Sequence, residues 1–436
     1  MDVARPTSLG SAEAALLRPD PRIGLPLPAY AGQSIPNVAR TAVDAADVPL
    51  RDVEELLPPL VADLDPFGGR RAEGTVVLFL VDALGWTSSG DGSLGDRPGY
   101  PSSWRERARP ITTVFPTTTA VALTSLSTGQ SPSRHGVVGH RVFLPRFGAV
   151  TEMLRMSPVG VGAFDAFAGP EWSPSLVSGA PSWFRRGVRA VALSRDRFEG
   201  SGFTRLLYEG AEYVGYSTAA DFGHRLGEVL SRPTPPPLVF AYWDELDAVQ
   251  HVHGPLPSFL QFESDQVARI LRQAVRRLDP GRARRTTVLV TSDHGQVPID
   301  LASEISLERE PSIAPTLRQP PGGDRRALLL TVRPGQLGAL REALAQRLPP
   351  GHRVLSASTA VDAGLFGPGP FHPELFDRLG DLLVLVPSPA SLTYRVPGSP
   401  PRPLRWGGAH GGLEPEEFLV PLVAGPITEL GRPDPA

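Results

Sequence analysis

Thr286-Thr287-Val288-Leu289-Val290-Thr291-Ser292-Asp293-His294-Gly295-Gln296 is the stretch on which the reading of this chain turns. It opens as an apolar, β-branched run, Val288-Leu289-Val290, of the kind that forms a strand buried on both faces. It then switches abruptly to Asp293-His294-Gly295. A carboxylate and an imidazole side by side at the end of a buried strand are costly to bury without a partner. A divalent metal suits both, because a hard oxygen and a borderline nitrogen form a common zinc ligand pair. The plainer alternative is an Asp that caps the next turn and a His satisfied by its surroundings. The rest of the chain decides between them.

Working outward, the same arrangement recurs. Thr75 to Val81 (T-V-V-L-F-L-V) reads as a strong strand and ends in Asp82. Leu238 to Tyr242 is another buried strand, followed by Trp243-Asp244-Glu245-Leu246-Asp247 and then His251. Asp247 and His251 stand at i and i+4, so a helical turn puts both on one face, a standard way to aim two ligands at one metal. An exposed Asp–His pair is the ordinary alternative. Asp244 and Glu245 read as a solvated pair or as support for the ligands. Thr112 to Phe115 is a short strand, and Pro116-Thr117-Thr118-Thr119-Ala120 suits a turn into a helix that stops at Gly129. The free N–H groups of such a helix start attract anions, although a Thr-rich cap alone would look the same. Late in the chain, Gly407-Gly408-Ala409-His410-Gly411-Gly412 is a Gly-dense loop around one imidazole. In an open parallel sheet the C-terminal strand edge is where ligands bind.

The 436 residues suffice for one large α/β domain with insertions or for two domains. A hydrophobic content of 41% with 20% charged residues describes a soluble globular chain. The net charge of -3 gives no reason to expect nucleic acid or an anionic membrane as partner. With no Cys, any metal must sit on Asp, Glu and His. The first residues carry no secretory signal and no run is long enough to span a bilayer, so a cytoplasmic location is the expectation.

Residues 1–70 are expected to form an N-terminal unit: a loose arm to Leu27, then one or two helices from Ile35, broken near Pro49 and packing on the core. Residues 71–302 and 372–430 are expected to form a doubly wound α/β domain with a mainly parallel central sheet and helices on both faces. Ala327–Val332, Gln336–Leu348 and Arg353–Ala357 read as β-α-β, so residues 303–371 are expected to be a small inserted α/β cap, after which Asp381–Val386 returns as a strand of the main domain.

Asp82, the Thr cluster, the D-x-x-x-H of Asp247–His251, the D-H-G of Asp293–Gly295 and the late G-A-H-G around His410 occur in an order that resembles the alkaline phosphatase superfamily, and most closely its nucleotide pyrophosphatase/phosphodiesterase branch. The resemblance covers roughly Thr75 to Val423. It implies that Asp82, Asp293 and His294 bind one metal with a Thr nucleophile bridging, and that Asp247, His251 and His410 bind a second. The family nucleophile stands ten residues before the helix-ending Gly, which here gives Thr119, with Thr118 as the alternative. The implied cofactors are two divalent ions, zinc first and manganese second. The implied reaction passes through a phospho-threonine, with charge stabilisation and positioning supplying most of the catalysis. The implied partner is a small-molecule phosphate ester or nucleotide. The C-terminal H-G-G-L-E-P-E-E-F-L-V-P-L also looks like the closing motif of metal-dependent phosphomutases of the superfamily.

Two departures bear on substrate. The branch has an aromatic after the nucleophile, where this chain has Ala120, and an Asn in the following loop that binds a phosphate oxygen, where this chain has His140. His140 can also donate to an anion. The role of His253, just past the D-x-x-x-H motif, is left open. A phosphomonoesterase or phosphonate hydrolase of the same superfamily is the alternative activity, and Arg134 and Arg141 are the cations that a terminal dianion would use. A sulfatase would need a Cys or Ser nucleophile. A metal-free scaffold, the non-enzyme alternative, should have lost ligands, and none is lost here.

Overall fold

The computed structural model describes residues 10–47, 56–86, 99–169, 171–399 and 406–433. The chain is organised on a seven-stranded sheet made of β1 (Val76–Val81), β2 (Arg109–Thr112), β3 (Ala190–Arg195), β4 (Glu212–Tyr216), β5 (Leu238–Trp243), β6 (Thr287–Thr291) and β7 (Leu419–Pro426). Their order across the sheet is β2-β7-β6-β1-β5-β3-β4. The run from β6 to β4 is parallel; β7 is antiparallel to both its neighbours. The expected mainly parallel sheet is therefore the architecture observed.

β1 shows why apolar runs without alternation form its centre. All six of its residues are buried. Successive side chains point to opposite faces. Phe79 stacks on Phe222 of the helix Ala219–Ser231 at 5.1 Å between centroids. Leu78 and Leu80 share a small cavity with Leu123 and Leu126 of the helix Thr119–Thr128. Both faces are thus covered, as a strand of this composition requires. The helix Thr119–Thr128 is buried along its whole length. It stops at Gly129, where φ is +66° and an added Cβ would stand 2.2 Å from the Trp183 ring, so only glycine fits.

The N-terminal helix Ile35–Ala45 starts with a reciprocal Ser34/Asn37 capping box and packs on β1 and on Thr119–Thr128. The part of the predicted helical region from Val48 to Glu55 lies outside the described residues, as do Met1–Leu9 and most of the predicted loop from Ser88. From Gly10 onward the arm is docked rather than loose. Ser11–Leu16 is helical, Leu16 is buried, and Glu13 accepts a hydrogen bond from Trp86 Nε1 at 2.8 Å.

A second, wholly antiparallel sheet of seven strands departs from the expected cap. Its order is Arg353–Ser356, Leu382–Leu385, Ala327–Leu330, Gly322–Asp324, Arg141–Leu144, Ala149–Glu152 and Ser157–Pro158. The boundaries expected at 303 and 371 cut through it, because three strands come from before residue 160 and Leu382–Leu385 belongs here rather than to the main sheet. The physical reason lies in its two apolar faces. Leu328, Leu330, Leu382 and Val384 build a local core, whereas Ala327, Leu329, Leu383 and Leu385 face the main one. Among the described residues no helix is long and apolar enough to cross a membrane.

Candidate active site

β1, β5 and β6 run in register, with Phe79 paired to both Ala241 and Val290. Their C-terminal ends therefore lie level and deliver Asp82, the helix Glu245–His253 and Asp293-His294 to one edge. His410 reaches the same edge because Gly408–Ala409 pairs with Val297–Pro298, just beyond the D-H-G turn. Close approach is enforced at Gly295, where a Cβ would stand 2.0 Å from the Glu416 carbonyl oxygen.

Two separate groups of potential ligands result. In the first, His294 Nε2 stands 3.3 Å from Asp293 Oδ2 and 3.6 Å from Asp82 Oδ1, and all three side chains are sealed from solvent. Their other atoms are held. Asp293 Oδ1 accepts from the backbone N–H groups of Ala83 (3.1 Å) and His294 (3.0 Å), the Asp82 Oδ2 atom accepts from the Tyr242 hydroxyl, and His294 Nδ1 lies 3.1 Å from the Gly295 carbonyl. Asp82 Oδ1 and Asp293 Oδ2 are left buried with no hydrogen-bond partner. Burial, reinforced by the neighbouring Asp293, pushes the Asp82 carboxyl well above its ordinary range. Burial likewise pushes Asp293 up to about 6 and His294 down to about 4. Two orphaned carboxylate oxygens facing an imidazole nitrogen are the donor set a divalent cation fits.

The second group stands at the rim. Asp247 Oδ1 lies 3.3 Å from His251 Nε2 and 3.9 Å from His410 Nε2. Each imidazole has its other nitrogen on a carbonyl: His251 Nδ1 is 3.0 Å from Gly408 O, and His410 Nδ1 is 2.9 Å from Thr117 O. Both Nε2 atoms are thereby turned toward Asp247, which also accepts from Gln296 Nε2 at 2.5 Å. Burial works to raise Asp247, but the His251 imidazole beside it outweighs that and holds the carboxyl below its ordinary range. His251 is pushed up in return, against its own burial, and burial beside His294 takes His410 down to about 4.

The three threonines have different partners. Thr117 Oγ1 donates to Gly412 O (3.0 Å) and accepts from Gly411 N (2.9 Å). Thr118, the cap of the helix, donates to Asp324 Oδ2 at 2.8 Å. Thr119 Oγ1 lies 3.1 Å from His294 Nε2 and is 7% exposed, against 0% and 1% for the other two. His140 lies among Asp324, Arg141, Glu152 and His410, and burial pushes its imidazole down. Arg141 is engaged by Glu152 and by the Tyr394 carbonyl, both at 3.0 Å, while Arg134 lies beside His372. His253 is exposed and its ring lies beside Phe259, 5.7 Å away, outside both groups.

Of the two readings of Asp244 and Glu245, support for the ligands is the one observed. Arg195, only 4% exposed, bonds both, with Nε 2.6 Å from Asp244 and Nη2 on Glu245, and stacks over Tyr216 and Trp243. This fixes the first turn of the helix that carries Asp247 and His251.

Sequence reasoning passed over three residues at the site. Tyr242 is two positions before Asp244 and reads as one more apolar strand residue. Gln296 directly follows D-H-G, and its nearness to the motif was the available signal. Asp324 sits in a G-G-D-R-R stretch between a Pro-rich segment and an apolar strand, with nothing to tie it to Thr118, 206 residues earlier.

Residues 76–408 match the family model described as type I phosphodiesterase / nucleotide pyrophosphatase. Among solved structures, murine ectonucleotide pyrophosphatase / phosphodiesterase 5 is similar with a TM-score of 0.56 at 17% identity, over 80% of this chain and 87% of that one. An inactive variant of the murine protein, in complex with AMP, gives 0.57 at 17%, over 81% and 88%. Phosphonoacetate hydrolase from Sinorhizobium meliloti 1021, in complex with phosphonoformate, gives 0.54 at 18%, over 82% and 92%. At such identities the likeness is one of fold. No curated protein matches the chain.

Proposed function

The chain belongs to the type I phosphodiesterase / nucleotide pyrophosphatase family, a branch of the alkaline phosphatase superfamily, and is a phosphoester hydrolase; on that premise we propose that it cleaves phosphate diesters or nucleotide pyrophosphates through a phospho-threonine at Thr119. The observation that carries this reading is the placing of Thr119 Oγ1 3.1 Å from His294 Nε2, next to two buried carboxylate oxygens without partners.

In this reading Asp82, Asp293 and His294 hold one divalent cation and Asp247, His251 and His410 a second. Zinc suits the oxygen and imidazole donors, and manganese is the alternative. Such cations would neutralise phosphoryl charge and lower the pKa of a nearby hydroxyl. The chain supplies the rest. Thr119, at the first position of its helix, gives up its hydroxyl proton to solvent and attacks phosphorus in line; its Oγ1–P bond forms as the bond to the leaving oxygen breaks, and that oxygen takes a proton from solvent. Water then attacks phosphorus, releases Thr119 and leaves the phosphate product. The exposed N–H groups at the helix start favour the anion, and His140 donates to a phosphoryl oxygen. Tyr242 and Gln296 each fix one carboxylate so that its remaining electron pairs face inward.

The test is a panel of p-nitrophenyl mono- and diesters and phosphonoacetate, offered to protein stripped with EDTA and reloaded with zinc or manganese. Diester turnover that vanishes on stripping and returns on reloading is the expected result. Turnover of none of these by the loaded protein would overturn the reading.

A further inference from the structure

Asp324 is an acidic side chain from the second sheet that reaches the threonine turn of the first. Its Oδ2 accepts from Thr118 Oγ1 at 2.8 Å and lies 3.8 Å from His410 Nδ1; its Oδ1 accepts from the Arg325 backbone N–H at 2.7 Å. Both oxygens therefore accept a hydrogen bond, the pattern that favours a carboxylate, and the His410 imidazole lies beside them. Packing fixes it further, since a Cβ on Gly411 would come within 3.0 Å of the Asp324 Cβ. The side chain keeps 13% of its surface open. A full negative charge is thus anchored to the residue next to Thr119.

A phosphate diester carries one negative charge, whereas a monoester above its second pKa of about 6 carries nearly two. A carboxylate near the reacting phosphorus repels the second species more strongly, and in a partly desolvated cleft that difference is large. Beyond the divalent cations of the proposed site, two nearby arginines are already engaged. Arg141 is held by Glu152 and the Tyr394 carbonyl. Arg325 points to Glu304 at 2.8 Å and lies over the Trp406 ring. Of the two arginines expected to serve a terminal dianion, Arg141 is paired in this way and Arg134 lies beside His372, while an aspartate stands at the residue next to Thr119.

We propose that Asp324 is a specificity-determining residue, which turns away doubly charged phosphate monoesters and so reserves the site for singly charged esters. The inference rests on Thr119 marking the phosphoryl site.

The experiment compares kcat/KM for bis(p-nitrophenyl) phosphate and p-nitrophenyl phosphate in zinc-loaded wild type, Asp324→Asn and Asp324→Glu. Asn keeps an acceptor for Thr118 and removes the charge. It should raise the monoester-to-diester ratio by about tenfold or more, while Glu keeps the wild-type ratio. An equal fall in both rates, with the ratio unchanged, would mean that Asp324 only holds the turn, and the proposal would fail. A second measurement needs no variant. p-Nitrophenyl methylphosphonate has the leaving group of p-nitrophenyl phosphate and a single charge, so wild type should cleave it with at least about tenfold higher kcat/KM; equal values would also overturn the proposal. A wild type that turns over none of the three esters would instead refute the phosphoryl-site reading itself.

Discussion

The buried group Asp82, Asp293 and His294 and the rim group Asp247, His251 and His410 contain the same residue types in opposite ratio. The first has two carboxylates and one imidazole, sealed from solvent, with two oxygens left unpaired. The second has one carboxylate and two imidazoles, partly open, and Asp247 is already served by His251 and Gln296. In the first, burial pushes both carboxyls up, reinforced at Asp82 by Asp293 and at Asp293 by Asp247; in the second, an imidazole holds the carboxyl down. The same ligand types thus make one group whose charge a bound cation would make tolerable and another that balances itself. If both hold metal, the buried one should bind more tightly and matter more to stability, and the rim one should exchange more freely.

The largest expected effect concerns the hydroxyl between the groups. Thr119→Ala should lower diester turnover by about a thousandfold or more while both metals stay bound. Thr117→Ala and Thr118→Ala should cost about 1 kcal/mol of stability each, with much smaller losses of rate. The readouts are steady-state rates, metal content and trapping of a phosphorylated peptide. Full activity in Thr119→Ala with loss in Thr118→Ala would move the nucleophile by one residue, and full activity in all three would remove the covalent step.

Next comes the asymmetry itself. Asp293→Asn should lose the tightly held ion. His251→Ala and His410→Ala should weaken only the exchangeable one, by more than about 100-fold, with the fold kept because both side chains lie on the sheet edge. Metal content after gel filtration, followed by titration with a chelating dye, separates the two classes. Unchanged stoichiometry in both His variants would refute the rim assignment. The supporting residues should show the same split at lower amplitude. Tyr242→Phe should weaken the buried ion and Gln296→Ala the rim ion, each by about tenfold, and a reversed pattern would mean that the groups are not independent.

How far these groups were legible before any coordinates follows from where each residue's partners lie. Asp82 directly follows an unbroken apolar run, and Asp293-His294 comes two residues after one, so a strand and its end could be read together. Asp247 and His251 were legible from helical spacing, and His410 from its glycines. Arg195 was not, because its partners Asp244 and Glu245 come from a strand end about fifty residues away, and nothing local distinguishes a buried arginine from a surface one. The second sheet was misjudged for a related reason. Leu382–Leu385 is buried on both faces and so looks like a central parallel strand, whereas it lies between two cores. Short strands such as Arg141–Leu144 alternate too briefly to show a period. Asp324 was invisible because its meaning comes entirely from the pairing of that sheet with the threonine turn.

The smallest expected effect is on the pH dependence of stability, and it tests the opening contrast most directly. Asp293 sits at about 6 in the folded chain against an ordinary 3.8. Between those values the folded protein holds a proton that the unfolded chain has released, so stability falls as pH rises through that window. Asp82, also pushed up, acts with the same sign. Asp247 has the opposite sign, and its contribution is present above the ordinary carboxylate range and lost only at lower pH. His251, pushed up, contributes stability that is present below its ordinary 6.5 and lost as pH rises through its folded value. His294 and His410, held down at about 4, oppose the raised groups, because the unfolded chain takes up protons there that the folded one refuses, so their contribution grows as pH rises from about 4 to 6.5. The Asp293 part is therefore read by difference: in metal-stripped protein the melting temperature of wild type relative to Asp293→Asn should fall by a few degrees from pH ~4 to pH ~6, at about 2–4 °C per kcal/mol. Metal makes the carboxyl contribution rise with pH instead, because its ligands must be deprotonated and the orphaned oxygens then gain a partner. The gap between loaded and stripped protein should widen as pH rises. Stripped Asp293→Asn should lack the falling Asp293 part of the slope below pH ~6, since its amide never ionises, whereas stripped His251→Ala should keep it there. If Asp293→Asn kept the wild-type slope and His251→Ala abolished it, the cost of an empty site would lie at the rim, and the contrast between the two groups would have to be inverted.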